Sequence, residues 1–160
     1  MNNIYFTEEK TQSHIVNEEY FPFKLIYDSS IENSKFVGFY HSDTDLLEFT
    51  IDKKSNAVKK IQLVICSSYE IVNEAIQIPN CTAGHTAYID LPQRNECTFF
   101  NVKVYNNGLR IDLNDCVSQS FYQCGNAVYG LSEDSTLCTI WFCGLSESTT
   151  AHIKFELAQN

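Results

Sequence analysis

The sequence predicts a mainly β protein: a single-domain antiparallel β-sandwich or strongly curved sheet with at most short helical segments. Three observations carry that expectation. Short runs alternate apolar and polar side chains with period two, the pattern of a strand with one face in a core. Polar turn formers separate these runs. Tyr and Phe together number twenty of 160 residues, and both suit a pleated, half-buried surface.

Taken in order, residues 4–6 (Ile-Tyr-Phe) form a short strand candidate. Thr7, Glu8 and Glu9 could instead cap a helical turn, because a hydroxyl and early acids suit orphan N–H groups. Residues 21–27 read as extended, with Pro22 placing them toward an edge. Residues 35–40 form another short strand, ended by the polar turn 41–45. The strongest pattern lies at residues 46–66. Leu47, Phe49 and Ile51 share one face, and Glu48, Thr50 and Asp52 share the other. After the turn formers Lys53-Lys54-Ser55-Asn56, the chain returns with Ile61, Leu63 and Ile65 alternating with Lys60, Gln62 and Val64. Two such runs predict an antiparallel hairpin around which other strands pack.

Downstream, residues 69–72, 75–78 and 87–91 are strand candidates, with Pro79 and Pro92 as punctuation. A second hairpin joins residues 100–105 to 109–113 through Asn106-Asn107-Gly108, whose Asn and Gly tolerate positive φ. Residues 114–125 are expected to hold one or two helical turns, with Gly125 as a stop. A third hairpin joins residues 127–131 to 137–143. Its second arm is nearly all apolar and is therefore placed centrally. Residues 152–157 alternate as a last strand. No internal repeat or linker divides residues 1–160, so one domain is expected.

The passage Leu47-Glu48-Phe49-Thr50-Ile51-Asp52, a Lys/Ser/Asn turn, and Val58-Lys59-Lys60-Ile61-Gln62-Leu63-Val64 resembles a stretch in several small bacterial immunity proteins. These are cytosolic antidotes paired with nuclease toxins, including those of contact-dependent growth inhibition systems. The resemblance covers this strand pattern alone and carries no chemical motif. It implies a non-catalytic, cytoplasmic protein that binds and neutralises a toxin domain.

The residues themselves are compatible with that implication. Residues 1–20 hold four acids and no basic start followed by an apolar run, so no secretory leader is expected there. No run of about 18 apolar residues predicts a membrane span. Seven cysteines, an odd number without a C-x-x-C pair, predict small buried thiols in a reducing compartment, with a single bridge as the lesser alternative. The formal charge of −9 is unevenly spread: residues 1–52 hold ten acids against three bases, and the remainder ten against eight. Such a surface repels nucleic acid and anionic lipid and attracts basic proteins.

Unmodified phosphate-binding, dinucleotide-binding, zinc-protease and nucleophile-elbow motifs are absent. The four histidines lie far apart and lack zinc-ligand spacing, so neither metal nor cofactor is expected. Cys143 and His152, on neighbouring strand candidates, could form a nucleophile pair, but Ile140, Trp141 and Phe142 predict an inert thiol. His85 beside Gly84 reads as a surface loop residue. Asp43 and Asp45 fit a solvated turn better than a calcium loop.

Acids next to aromatics recur three times in the first 45 residues: Glu18-Glu19-Tyr20, Tyr27-Asp28, and Tyr40 with Asp43 and Asp45. Tyr is a frequent interface anchor, and acids meet a partner's cations. These eight residues are the expected recognition surface for a basic toxin domain, most simply a nuclease. A small-molecule or carbohydrate-binding sandwich using Trp141, or an enzyme with an unrecognised site, are the alternative readings.

Overall fold

The alternation at residues 46–66 becomes strands β5 (Asp45–Asp52) and β6 (Val58–Ile65), with Leu47 opposite Leu63 and Phe49 opposite Ile61. Leu47, Phe49, Ile51, Ile61 and Leu63 are fully buried. In the computed structural model, which describes residues 4–159, this hairpin lies inside a six-stranded sheet. Its order is β2 (His14–Ile15), β3 (Phe23–Ile26), β6, β5, β4 (Ser34–His41), β9 (Arg94–Glu96). Pro22 immediately precedes β3, where its missing N–H breaks no ladder bond. The two-residue β2 covers the side of β3, which is therefore not an edge.

Two bulges reshape the hairpin. One falls between Thr50 and Ile51, opposite Lys59, and the other between Leu46 and Leu47, opposite Val64. Because side-chain direction alternates, an extra residue turns its successors to the other face. Ile65, expected in the core, is consequently exposed beside Leu46. Lys59 is buried, and its ammonium donates to the carbonyls of Glu32 (2.7 Å) and Ser30 (3.4 Å) and to Ser34 Oγ (3.1 Å). Lys59→Met should remove this clamp on the 28–34 loop and cost about 2 kcal/mol, since bonds to a charged group are each worth roughly 1.5–3 kcal/mol before exposed acceptors regain water. Urea unfolding checks this, and a loss below about 0.5 kcal/mol would refute the clamp.

The second six-stranded sheet has the order β12 (Ser120–Cys124), β13 (Ala127–Leu131), β14 (Leu137–Phe142), β11 (Leu109–Asp112), β10 (Asn101–Val104), β7 (Tyr69–Ile71). β13 and β14 are buried along their whole length, as the apolar run 137–143 predicts for an interior strand. The sheets meet across one hydrophobic core, where the Phe23 and Phe142 rings lie 4.5 Å apart. A separate ribbon of β1 (Ile4–Thr7) and β8 (Thr86–Ile89) stacks Phe6 on Tyr122 and bridges Tyr88 to Ala57 at the β5–β6 turn. Thr7 lies in this ribbon and caps no helical turn.

Most pairings are antiparallel; β4–β9 and β7–β10 are parallel. β9 follows Pro92 and its three polar residues gave no strand pattern. The hairpin 101–112 forms as expected, yet neither Asn107 nor Gly108 takes a positive φ. Gly108 is needed for close approach instead, because a Cβ there would meet Ile76 at 2.6 Å. Residues 75–78 form no strand. Ile76 lies across this turn and donates its N–H to Asn107 Oδ1, so the segment has no ladder partner.

Two expectations about helices are reversed. Residues 114–125 contain no helical turn; a loop tied by a Cys116–Cys138 disulfide leads into β12, and Gly125 (φ +60°) turns the chain into β13. Residues 152–157 are not a strand but part of α1 (Glu147–Ala158). Ser146 Oγ caps it by accepting the Thr149 N–H, and Thr149, Thr150, Ile153, Glu156 and Leu157 are buried at helical spacing while Phe155 faces solvent. The bridge also corrects the expectation of seven free thiols; five remain free. Among the described residues no helix is long and apolar enough to cross a membrane.

Candidate partner-binding surface

The outward residues of the first sheet form three rows set by register. Ile26, Lys60, Thr50 and Phe36 make one; Lys24, Gln62, Glu48 and Gly38 the next; Ile65, Leu46 and Tyr40 the third. Arg94 of β9 pairs beside Gly38 and extends the middle row. Glycine leaves a gap there between Glu48 and Arg94, and a Cβ would approach Leu46 Cδ1 to 3.2 Å. The result is an open depression of about 270 Å³ around Tyr40, Asp43, Glu48, Leu46, Ile65 and Arg94.

Its walls are aromatic, apolar and mostly acidic. Phe36 is 48% exposed and Ile65 37%. Arg94 lies over the Tyr40 ring at 4.6 Å from its centroid, which holds the ring in place through a cation–π contact. Asp43 stands exposed on the β4–β5 turn, where Ser42 takes φ +51°.

Asp45 plays a different part from the one expected. It is only 4% exposed and accepts bonds from Ser67 N (2.7 Å), Ser67 Oγ and Thr44 Oγ1, with His41 Nδ1 at 3.6 Å. Its carboxylate therefore fixes the sheet end and has little left for a partner. Tyr27 is also reassigned. Its hydroxyl donates to the Cys124 carbonyl at 2.7 Å and lies 3.4 Å from Tyr129 Oη, joining the two sheets. Burial pushes this phenol far above its ordinary range.

The other expected residues stay exposed but do not form one patch. Tyr20 is 77% exposed, beside Glu19 and a Glu18 that pairs with Lys24. This group precedes β3, at the same end of the sheet as Tyr40 but three strand spacings away, roughly 14 Å. Asp28 follows β3 at the opposite end, and its carboxylate holds a turn by accepting the Ser30 N–H. Thus Tyr40 and Asp43 converge, while Glu18, Glu19, Tyr20 and Asp28 lie apart. Sequence reasoning missed Phe36, Leu46, Glu48, Ile65 and Arg94. Glu48 and Phe36 were legible from strand parity, but Ile65 depends on the bulge and Arg94 on the parallel β9.

The catalytic candidates separate as well. Cys143 Sγ donates to the Asn126 carbonyl at 3.4 Å, and His152 Nε2 lies 2.9 Å from the Phe21 carbonyl. Each is engaged elsewhere, so they are not a nucleophile and base. His85 is buried against Tyr122, not on the surface. Trp141 is 7% exposed between Phe121 and Arg110, so it offers no platform for a sugar. Among the described residues no three His, Cys, Asp or Glu side chains lie close enough together to hold a metal ion. No protein-family profile matches the chain, and no curated protein matches it.

Proposed function

We propose that this chain is a non-catalytic immunity protein that binds and neutralises a basic toxin domain, a nuclease, in the bacterial cytosol. The observation that carries the reading is the depression around Tyr40, where Asp43 and Glu48 flank an aromatic anchor beside exposed Phe36 and Ile65. A nuclease presents cations to phosphate, and carboxylates around an apolar centre meet the same cations. The resembling passage supplies one residue of this depression, Glu48. The excess of acid in residues 1–52 adds a field that steers a basic partner.

The test measures association with a basic toxin domain, which this reading expects to be encoded beside the chain. Asp43→Lys with Glu48→Lys should slow the on-rate about 10–100-fold at low salt, and added salt should reduce the wild-type rate, since steering is screened beyond about 8–10 Å. Glu133→Lys with Glu147→Lys, both exposed and away from the depression, serve as the control. Asp45 is left alone because its reversal would break the sheet end. Equal slowing in both variants, or rates indifferent to salt, would overturn the placement. Failure of the wild-type chain to protect cells expressing that toxin would overturn the function.

A further inference from the structure

A second cleft opens on the same sheet face, between the row of Ile26, Lys60 and Thr50 and the loop after β3. Ile26, Thr50 and Lys60 form its floor, Lys24 one flank, and residues 28–31 its wall. Thr50 points outward because Phe49 and Ile51 take the core. The residue is only 6% exposed, and its Oγ1 has no hydrogen-bond partner. An unpaired buried hydroxyl is costly, so strands seldom keep one where a Val would fit.

The groups around that hydroxyl are mainly donors. Lys60 stands next to Thr50 in register and makes no ion pair among the described residues. Lys24 lies diagonally across the β3–β6 ladder. Its ammonium pairs with Glu18 and lies over the Phe21 ring, so Lys24 lines the cleft with its stem and leaves Lys60 as the free cation there. An ammonium offers only donors and no acceptor. Lys59 grips the carbonyls of Ser30 and Glu32 from beneath, and its own carbonyl accepts the N–H of Tyr27 and Asp28. The wall is thus held in place before any ligand arrives. Asp28 is the one acid lining the cleft, and its Oδ1 already accepts the Ser30 N–H, whereas the Lys60 ammonium is committed to no carboxylate among the described residues.

We propose that this cleft binds a small oxyanion of the phosphate or sulfate class, held by the Lys60 ammonium and by the Thr50 hydroxyl. The cavity of about 80 Å³ suits a group of that size and is far below the roughly 300 Å³ at which drug-sized ligands begin. The site is separate from the depression around Tyr40 and does not rest on the immunity reading.

Nuclear magnetic resonance titration of the full chain with sodium phosphate, against sodium chloride at matched ionic strength, tests it. Phosphate and sulfate should each shift the Thr50, Lys60 and Ser30 amides saturably, with a dissociation constant on the order of 1 mM, while chloride does not. Thr50→Val keeps the shape and removes the donor. It should weaken phosphate about fivefold and raise the melting temperature, because the unpaired hydroxyl is gone. Lys60→Gln should weaken phosphate about tenfold with the rest of the spectrum unchanged. Linear shifts equal to those of chloride, saturable shifts centred elsewhere, or wild-type affinity in both variants would overturn the site.

Discussion

Phe142→Ala is expected to cost about 3–5 kcal/mol, the largest effect of any single substitution considered. Phe142 is fully buried at the end of β14, and its ring meets Phe23 of the opposing sheet. The contact joins the two layers, so truncation removes apolar area from both and leaves a cavity that neither rigid sheet can collapse to fill. Since domains of this kind have only about 5–15 kcal/mol in total, the variant should unfold at markedly lower urea with an unchanged slope. Phe155→Ala, whose ring is 63% exposed on α1, is the comparison and should change stability by under about 0.5 kcal/mol. A similar loss from both would mean that the sheets do not meet through Phe142.

Opening the Cys116–Cys138 bridge should cost about 3 kcal/mol. The crosslink spans 22 residues, and a loop of that length restricts the unfolded chain by about that amount. Cys116→Ser with Cys138→Ala isolates the effect, because Ala leaves no unpaired hydroxyl in the buried β14. Unfolding in urea with and without reductant should show the same loss in the wild type and none in the variant. Alkylation of the denatured, unreduced chain should label five cysteines; seven labels, with stability indifferent to reductant, would refute the bridge. In the native chain labelling should be slow at three of the five. Burial pushes the Cys66 thiol up to about 11 and those of Cys97 and Cys124 to about 12, so little thiolate is present at neutral pH. A cytosolic antidote would meet a thiol pool able to open an exposed bridge, and Cys116 is its exposed end. Counting labels on protein quenched inside the cell therefore also tests the proposed compartment.

Local alternation was enough for the core of the first sheet. Leu47, Phe49, Ile51, Ile61 and Leu63 are buried as their parity requires, because period two is a property of the strand itself. The same rule failed at residues 152–157. Ile153, Phe155 and Leu157 alternate, but Ser146, Thr149 and Thr150 begin a helical stripe that a six-residue window does not include. It failed again at Ile65, where a one-residue bulge reversed the face.

The candidate site was only half legible, for a related reason. Adjacent acid and aromatic letters located Tyr40 and Asp43, since a polar turn after a strand stays at the surface in most folds. The same adjacency misassigned Tyr27 and Asp45, whose hydroxyl and carboxylate found partners far along the chain, at Cys124 and Ser67. The sequence by itself determined the fold class, the three hairpins and the acidic balance, all of which follow from neighbours within a few residues. Only the tertiary structure decided which sheets face each other, that β9 brings Arg94 beside Gly38, and which acids remain exposed without an internal bond. Those outcomes depend on hydrogen bonds and packing between residues that are distant in the chain, and no local period records them.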